Sequence, residues 1–357
     1  MKVPTIGLDS MRDFDEIIDV RSPAEFADDH LPGARNFPVL DDAERAEVGT
    51  LYRQDSPFAA RRFGAALVAR NIARHLQESF LDRPRSWRPL VYCWRGGNRS
   101  AAMVTILRAI GWQACQLEGG YKTYRRQVID ELEALPGCLF FRILCGPTGS
   151  GKTCILQALA ARGEQVLDLE GLACHKGSVL GVLPETPQPS QKAFESALAA
   201  QLRTFDPARP VYAEAESRKI GRLRITDALL TSLRAGQCIE ISAPLACRVD
   251  ALLADYAHFL QSPALLKEQL EGLRSLHGKE ILAEWHRLID AGEWPTLVSR
   301  LLDEHYDPLY RRSQESHYGR EVPATSLIAT GFSGAALSSL CAAIVDNSSP
   351  MGSASCP

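Results

Sequence analysis

Apolar and polar positions alternate in two distinct ways along the first third of the chain. Short β-rich runs at EIIDV (16–20) and PLVYC (89–93) are separated by stretches with helical spacing, at 59–77 and in AAMVTILRAIGW (101–112). Short apolar runs predict buried strands, and longer periodic stretches predict amphipathic helices. Their alternation predicts a parallel sheet wrapped by helices over residues 1–135.

A second alternation of this kind begins after Pro136 and Gly137, which end a helical stretch. The β-rich runs LFFRILC, QVLDLE, PVYAEAE and CIEISA then alternate with helical stretches and predict another α/β domain at 138–245. Beyond it the spacing is mostly helical, which predicts a helical C-terminal extension at 246–345. The Ser-rich end, 346–357, is expected to be a disordered tail.

The composition matches a globular chain of two or three domains: 357 residues, 45% hydrophobic and 23% charged. Apolar runs stay well short of the roughly 18 residues that a membrane helix needs, and the first residues do not resemble a secretory signal. We therefore expect no membrane association and a cytoplasmic location. The ten cysteines have no zinc-type spacing and are expected to be reduced.

Charge is unevenly distributed. The net charge of -3 argues against binding nucleic acid through bulk charge alone. Between Arg61 and Arg99, however, nine arginines accompany only two acids, Glu78 and Asp82. This region is either a phosphate-binding face or a set of solvated helix surfaces.

Residues 146–153, GPTGSGKT, contain the full G-x-x-x-x-G-K-[ST] pattern between a predicted strand and a predicted helix. Its glycines let backbone N–H groups surround an anion, Lys152 adds a positive charge, and the Thr153 hydroxyl can bind Mg²⁺. No other metal and no bound redox cofactor are indicated. We predict a di- or triphosphate site formed by Gly146, Thr148, Gly149, Ser150, Gly151, Lys152 and Thr153.

Acidic residues follow two predicted strands of the same domain. Asp168 and Glu170 end one run, and Glu214 and Glu216 end another. P-loop proteins place a Mg²⁺ ligand or a base at such strand ends, although a solvated strand end is the alternative. Arg218, just beyond, is a candidate for a further phosphate contact.

A cysteine loop, YCWRGGNRS (92–100), lies between a predicted strand and a predicted helix. The helix N-terminus and the guanidinium groups of Arg95 and Arg99 favour the thiolate form of Cys93, so we predict a nucleophile. Trp94 either stacks on a substrate base or packs into its own domain. The remaining loop residues predicted to surround an anion are Gly96, Gly97, Asn98 and Ser100.

This loop, with DVRSPAEF (19–26), HLPGA (30–34) and LEGGY (117–121), resembles the rhodanese superfamily. The interval from Cys93 to Arg99 is Cys-x5-Arg, one residue longer than the usual rhodanese loop and equal to that of dual-specificity phosphatases. The longer loop predicts a pocket for a phosphate-sized group such as selenophosphate or a phosphoester.

The pairing of both loops resembles the tRNA 2-selenouridine synthase family over nearly the whole chain. Further matching segments are DLEGLACHKGS (168–178), which contains His175, QPSQKAFE from Gln188, EAESRKIG from Glu214 and HYDPLYRRS from His305. The resemblance implies an α/β enzyme with a rhodanese-like domain, a P-loop NTPase-like domain and a helical C-terminal extension. It also implies His175 as a candidate second-site residue.

The resemblance implies that wobble 2-thiouridine of tRNA becomes 2-selenouridine through an S-geranylated intermediate, with geranyl diphosphate and selenophosphate as substrates. The P-loop then holds a diphosphate, while Cys93 attacks selenophosphate and carries selenium. Arg248, His305, Tyr306, Arg311 and Arg312 are expected either to dock tRNA or to pack within helices.

Two other functions agree with the two loops alone. One is a Cys-x5-Arg phosphatase or a sulfurtransferase coupled to a nucleotide-binding module, and activity on an aryl phosphate would identify the phosphatase. The other is a non-catalytic protein whose docking to a partner is controlled by ATP. Neither explains the matching segments outside the loops.

Overall fold

The computed structural model describes residues 3–183, 186–317 and 325–346, without the side chains of 313–317. The expected tail therefore lies outside the described residues, except for Asp346. The chain forms two compact units. Unit 1 extends to Glu131 and includes Ser190–Ser196, and unit 2 comprises Leu132–Pro189 and the chain from Ala197 onward.

Unit 1 contains a five-stranded parallel sheet in the order β1-β5-β4-β2-β3, as the alternating pattern predicts. Its core includes Ile18, Val91 and Leu107, none of which is exposed. The strands are β1 (Thr5–Ile6), β2 (Glu16–Asp19), β3 (Ala34–Asn36), β4 (Pro89–Tyr92) and β5 (Cys115–Leu117). The helices are α1 (Pro23–Asp28), α2 (Asp42–Gln54), α3 (Pro57–His75), α4 (Asn98–Ile110) and α5 (Gly120–Ala134, whose last residues are counted with unit 2), with a 3₁₀ turn at Leu8–Asp13 and a π-helical segment at Leu76–Phe80. A further 3₁₀ turn, at Leu135–Cys138, lies in unit 2.

Local sequence explains where the first helices begin. Ser22 precedes Pro23, and the Ser22 N–H donates to the Glu25 carboxylate at 3.2 Å, so α1 starts with a capping box. Asp41 caps α2 in the same way, with Glu44 as its reciprocal partner. These caps satisfy backbone donors that have no partner within the helix.

Unit 2 contains a second five-stranded parallel sheet, in the order β12-β11-β6-β8-β7, and a β9-β10 hairpin. The strands are β6 (Phe141–Cys145), β7 (Gln165–Leu167), β8 (Val211–Glu214), β9 (Lys219–Ile220), β10 (Leu223–Arg224), β11 (Gln237–Ser242) and β12 (Thr325–Ile328). The helices are α6 (Lys152–Ala161), α7 (Leu169–Ala173), α8 (Gln191–Leu202, whose first turns are counted with unit 1), α9 (Asp227–Ala235), α10 (Leu245–Asp255), α11 (Ala257–Gln261), α12 (Pro263–Glu271), α13 (Arg274–Ala291), α14 (Trp294–Leu301), α15 (Asp307–His317) and α16 (Gly334–Asp346), with a π-helical segment at Leu302–Tyr306.

Besides the β9-β10 hairpin, which no predicted run covers, the structure differs from the sequence pattern at three places in unit 2. The run QVLDLE ends as a strand at Leu167, because Asp168 caps α7 by accepting from the Gly171 N–H at 2.7 Å. The predicted helical extension contains β12, which pairs with β11, and α16, which packs on the sheet. Cys145 and Cys238, on neighbouring strands, form a disulfide where reduced cysteines were expected.

The described helices from α10 to α15 confirm the helical pattern after Pro244, and they have their own apolar cluster around Trp285 and Leu270. Within the part of the chain that the structure describes, every helix is too short or too polar to cross a bilayer.

Candidate functional site

Cys93 lies directly after β4, in the loop that leads into α4. Its Sγ accepts hydrogen bonds from the Gly97 N–H at 3.2 Å and from the Ser100 hydroxyl at 3.1 Å. The buried Gln116 side chain orients this arrangement by donating to Ser100 Oγ at 2.7 Å and to Gly97 O at 3.0 Å. Two donors directed at one sulfur stabilise an anionic nucleophile.

The glycine-containing turn after β5 contacts the cysteine loop through backbone hydrogen bonds. The Tyr121 N–H donates to Cys93 O and the Lys122 N–H donates to Trp94 O, both at 2.9 Å. Gly120 has φ of +59°, and a Cβ there would lie 2.2 Å from Cys93 O. The LEGGY segment therefore supports the loop, because only glycine permits this close approach.

An open pocket lies above Cys93. The residue as a whole is 3% exposed, yet it lines this pocket. Trp94 is 37% exposed at the rim, with its ring centroid 5.3 Å from that of Tyr121, so its outer surface is free to contact a ligand. The other lining residues are Glu25, Arg45, Arg95, Gly97, Asn98 and Arg99.

The pocket has a surplus of positive charge. Arg99 donates to both Glu25 carboxylate oxygens, at 2.6 and 3.3 Å, and Arg45 Nε lies 3.8 Å from Glu25. Burial opposes ionisation of Glu25, but its contacts with Arg99 prevail and hold the pKa of its carboxyl below the usual value. The pocket is therefore lined by three guanidiniums, with Arg95 as the third, and by one carboxylate, which leaves it suited to an anion.

Sequence reasoning missed Arg45 and Glu25. The motif contains Arg95 and Arg99, whereas Arg45 comes from α2 and Glu25 from α1. The Ser-x-x-Glu spacing of Ser22 and Glu25 is a capping-box pattern, and this was the sequence signal that the Glu25 carboxylate has a defined position.

The P-loop of unit 2 connects β6 to α6. Lys152 Nζ donates to Gly146 O at 2.9 Å and to Pro147 O at 3.4 Å. Gly151 has φ of +79°, and a Cβ there would lie 2.2 Å from the Phe332 ring. The buried Ser150 Oγ has no hydrogen-bond partner among the described residues. The loop thus has the geometry of an anion-binding cradle, and the Lys152 side chain reaches back to the carbonyl groups at its start.

Three carboxylates approach this cradle. Oxygens of Glu170, Glu214 and Glu216 lie within 4.8 Å of one another, and Glu214 Oε1 accepts from the Thr153 hydroxyl at 2.8 Å. Burial, followed by mutual repulsion, raises the pKa of Glu170 to about 9 and that of Glu216 to about 7. Burial also raises the pKa of Glu214, although Lys152 opposes this effect. Such a hard oxygen set fits a Mg²⁺ ion.

The other predicted second-site residues have different surroundings. Asp168 caps α7, and its charge adds to the repulsion that raises the pKa values of the three carboxylates. Exposed Arg218 instead pairs with Asp227 at 2.7 Å. His175 is buried, and its backbone N–H donates to Glu170 O at 3.1 Å. Burial lowers the pKa of its imidazole. His175 therefore supports the segment that carries Glu170.

An apolar cavity adjoins the P-loop at Thr148. Its empty space is about 590 Å³, a figure that includes open solvent at its mouth. Ser178 hydrogen-bonds to the side chains of Tyr256 and Tyr306, two of its polar lining residues. The remaining walls are Leu180, Leu252, Leu253, Phe259, Leu260, Leu266, Trp294, Leu297, Val298, Leu301 and Leu302.

Three of the residues expected either to dock tRNA or to pack within helices have mainly internal contacts: Arg248, His305 and Tyr306. Arg248 is buried, donates to Thr148 O at 2.9 Å and binds Asp307 through both terminal nitrogens, at 3.0 and 2.6 Å. His305 is buried against His277, with a nitrogen separation of 2.8 Å, and Tyr306 lines the cavity. Arg248 and Tyr306 thus shape the P-loop and the cavity, and His305 packs among the helices.

Comparison with known families matches both units. Residues 7–127 match the rhodanese-like domain, and residues 140–288 match the AAA domain of tRNA 2-selenouridine synthase. A solved structure, the N-terminal domain of a putative ATP/GTP binding protein from Clostridium difficile, is 34% identical. It covers 35% of this chain and 98% of its own, with a TM-score of 0.32.

Curated relatives extend the match along most of the chain. A tRNA 2-selenouridine synthase from Nitrosomonas europaea is 37% identical, over 72% of this chain and 68% of its own. One from Bdellovibrio bacteriovorus is 31% identical, over 85% and 89%. One from Alcanivorax borkumensis is 37% identical, over 76% and 75%.

Proposed function

This chain belongs to the tRNA 2-selenouridine synthase family, and on that premise we propose that it replaces sulfur by selenium at C2 of wobble 2-thiouridine in tRNA. The conversion has two steps. Geranyl diphosphate first alkylates the sulfur at the P-loop site, and selenophosphate then supplies selenium at the Cys93 site.

The observation that carries this proposal is the apolar cavity beside the P-loop. Thr148 belongs to both the anion cradle and the cavity wall, and most of the other walls are aliphatic or aromatic. A nucleotide would bring a polar ribose and base to these walls, whose few polar groups could not satisfy them. A prenyl diphosphate instead places phosphates in the cradle and a hydrocarbon chain in the cavity.

In the first step, the thiocarbonyl sulfur attacks C1 of the geranyl group and the C–O bond to diphosphate breaks. The bonding electrons leave with the diphosphate, and the N3 proton of the base passes to solvent, which leaves the alkylated base neutral. The loop N–H groups and Lys152 stabilise the negative charge that develops on it. Mg²⁺, held by Thr153 and Glu214, would neutralise further charge. Alkylation converts the sulfur into a thiolate leaving group.

In the second step, Cys93 attacks the phosphorus of selenophosphate, the P–Se bond breaks, and the electron pair leaves with selenium. Selenium displaces geranyl thiolate from C2, and water then hydrolyses the phosphoryl group from Cys93. Arg95, Arg99 and Arg45 balance the phosphoryl charge. We favour this redox-neutral route over a cysteine-bound selenium, because the Se–S bond of that adduct would require an added reductant to release the product.

Substitution Val298→Phe tests the cavity, because it adds bulk to a half-buried wall. We expect geranyl diphosphate to bind about tenfold more weakly, since overpacking typically costs about 1–3 kcal/mol. Inorganic diphosphate, measured by the same calorimetric titration, should bind as in the unmodified protein. Val179→Phe, at an exposed position, is the matched control. Unchanged geranyl diphosphate affinity, or tighter binding of ATP than of geranyl diphosphate, would refute the proposal.

A further inference from the structure

One side of the α2–α3 hairpin carries a distinctive set of side chains. The helices pack closely where Gly64 meets Val48, since a Cβ on Gly64 would lie 3.3 Å from Val48 Cγ1. At about 100° per residue, the helical geometry projects six residues to the same side of this contact. We call this set the α2–α3 face: Arg45, Tyr52, Arg53, Phe58, Arg61 and Arg62.

On the opposite side of the hairpin, charged side chains pair with each other. There Arg70 of α3 pairs with Glu44 of α2, and Asn71 donates to the same carboxylate. Phe63 and Arg74 project to that side as well, according to the same helical spacing. The hairpin therefore has one side with internal charge pairing and one side, the α2–α3 face, where arginines predominate.

The α2–α3 face is open to solvent. Tyr52 is 58% exposed and Phe58 is 71% exposed, which is unusual for large aromatic side chains. Among the described residues, no carboxylate lies within ion-pair distance of Arg53, Arg61 or Arg62. Arg53 and Arg61 instead donate through Nε to backbone oxygens of their own helices, at 3.3 and 3.1 Å, so their terminal nitrogens are free.

One end of the α2–α3 face reaches the Cys93 pocket. Arg45 lines that pocket, and a Cβ on Gly49, one turn further along α2, would lie 3.2 Å from the Arg45 guanidinium. Tyr52 and Arg53 follow within the next turn. A ligand that extends out of the pocket along α2 would therefore meet a continuous basic and aromatic surface.

We propose that the α2–α3 face binds the anticodon loop of the substrate tRNA, an inference that rests on the proposed function. Guanidiniums bind the phosphates of the loop, and Tyr52 and Phe58 stack on its unpaired bases. The exposed aromatic residues indicate a partner with unpaired bases, because the bases of a duplex are stacked on one another and are not available for stacking on side chains. Arg45 then guides the strand toward Cys93.

The test measures binding of the full chain to a fluorescent anticodon stem-loop containing 2-thiouridine, by anisotropy at several salt concentrations. Arg53→Ala with Arg62→Ala should weaken binding about tenfold and lower the salt slope by about 0.7 for each lost phosphate contact. Tyr52→Ala with Phe58→Ala should weaken binding about fivefold or more with an unchanged salt slope. These exposed helical positions tolerate alanine, and circular dichroism confirms folding.

The matched control is Phe63→Ala with Arg74→Ala, which removes the same residue types from the other side of α3. It should bind RNA within about twofold of the unmodified chain, since it leaves the α2–α3 face intact. Phosphate release from selenophosphate without RNA should be equal in all variants. Equal RNA affinity of face and control variants, or a loss of phosphate release in the face variants, would overturn the assignment. Failure of the unmodified chain to form 2-selenouridine would instead reject the proposed function.

Discussion

The cysteine loop and the P-loop use the same backbone arrangement. In each, a buried parallel strand ends, a glycine-containing turn follows, and a helix begins with its N–H groups directed toward the turn. Such a turn binds anions through oriented backbone dipoles. The two loops differ in the side chain that they present, a thiol at Cys93 and an ammonium at Lys152.

The surroundings of the two loops differ more than the loops themselves. Guanidiniums outnumber the single carboxylate around Cys93, whereas three carboxylates and an apolar cavity adjoin the P-loop. The first environment favours a nucleophile acting on a bound anion. The second favours an anion that carries a hydrocarbon and a cation. Side chains outside the loops thus decide which chemistry a shared backbone arrangement supports.

The largest effect is expected from Cys93→Ser, which tests whether each loop catalyses a separate step. Selenation of geranylated RNA should fall by about 10³-fold or more, because the serine hydroxyl is a far weaker nucleophile at neutral pH. Geranylation should stay within about twofold, since it depends on the other loop. Nucleoside mass spectrometry measures both steps, and Cys115→Ser is the control. Selenation at the normal rate would remove Cys93 from the mechanism.

The reciprocal change, Lys152→Ala, should lower geranylation by about 10²-fold, because one charge that stabilises departing diphosphate is lost. Selenation of RNA that is already geranylated should continue. Single-turnover assays of each step make the comparison, with the surface substitution Lys267→Ala as control. Equal loss of both steps would show that Lys152 supports the fold or RNA binding and not one reaction.

A smaller effect is expected from Ser100→Ala, which removes one of the two hydrogen bonds to the Cys93 sulfur. Alkylation of Cys93 by iodoacetamide should slow by about tenfold, since a hydrogen bond to a charged group contributes about 1.5–3 kcal/mol. Peptide mass spectrometry follows the modification. Thr105→Ala, on the exposed side of α4, should leave the rate unchanged. No slowing in Ser100→Ala would mean that the serine does not stabilise the thiolate.

The smallest effect concerns the carboxylates beside the P-loop. The pKa of Glu216, raised from its ordinary value of 4.5 to about 7, means that the folded chain keeps a proton which the unfolded chain has released. Stability therefore falls as pH rises between these values. Glu216→Gln cannot ionise and should gain a few degrees in melting temperature relative to the unmodified chain from pH 5 to pH 8.

Thermal unfolding in cation-free buffer measures this difference. Glu164→Gln, at a carboxylate that pairs with Arg209 at the surface, is the matched control. Equal changes of melting temperature with pH for Glu216→Gln and the unmodified chain would contradict the raised pKa assigned to Glu216.

The sequence alone predicted the parts of the molecule that depend on local order. Each loop is one short run of consecutive residues, around Cys93 in one case and around Lys152 in the other. A strand, a turn and the start of a helix therefore bring the residues of each loop together without distant contacts. The parallel sheets were predictable for a similar reason, because apolar spacing within each segment determines its secondary structure. Six short strands were missed, since runs of two to four residues carry too little pattern: β1, β3, β5, β9, β10 and β12.

Tertiary structure decided the charge and shape around each loop. Arg45 reaches Cys93 through the packing of α2, and Glu170, Glu214 and Glu216 converge because β7 and β8 are parallel neighbours whose carboxyl ends share one edge. The apolar cavity arises where α10, α14 and the P-loop meet. Contacts between segments far apart in the chain depend on strand order and helix packing, which no local pattern encodes.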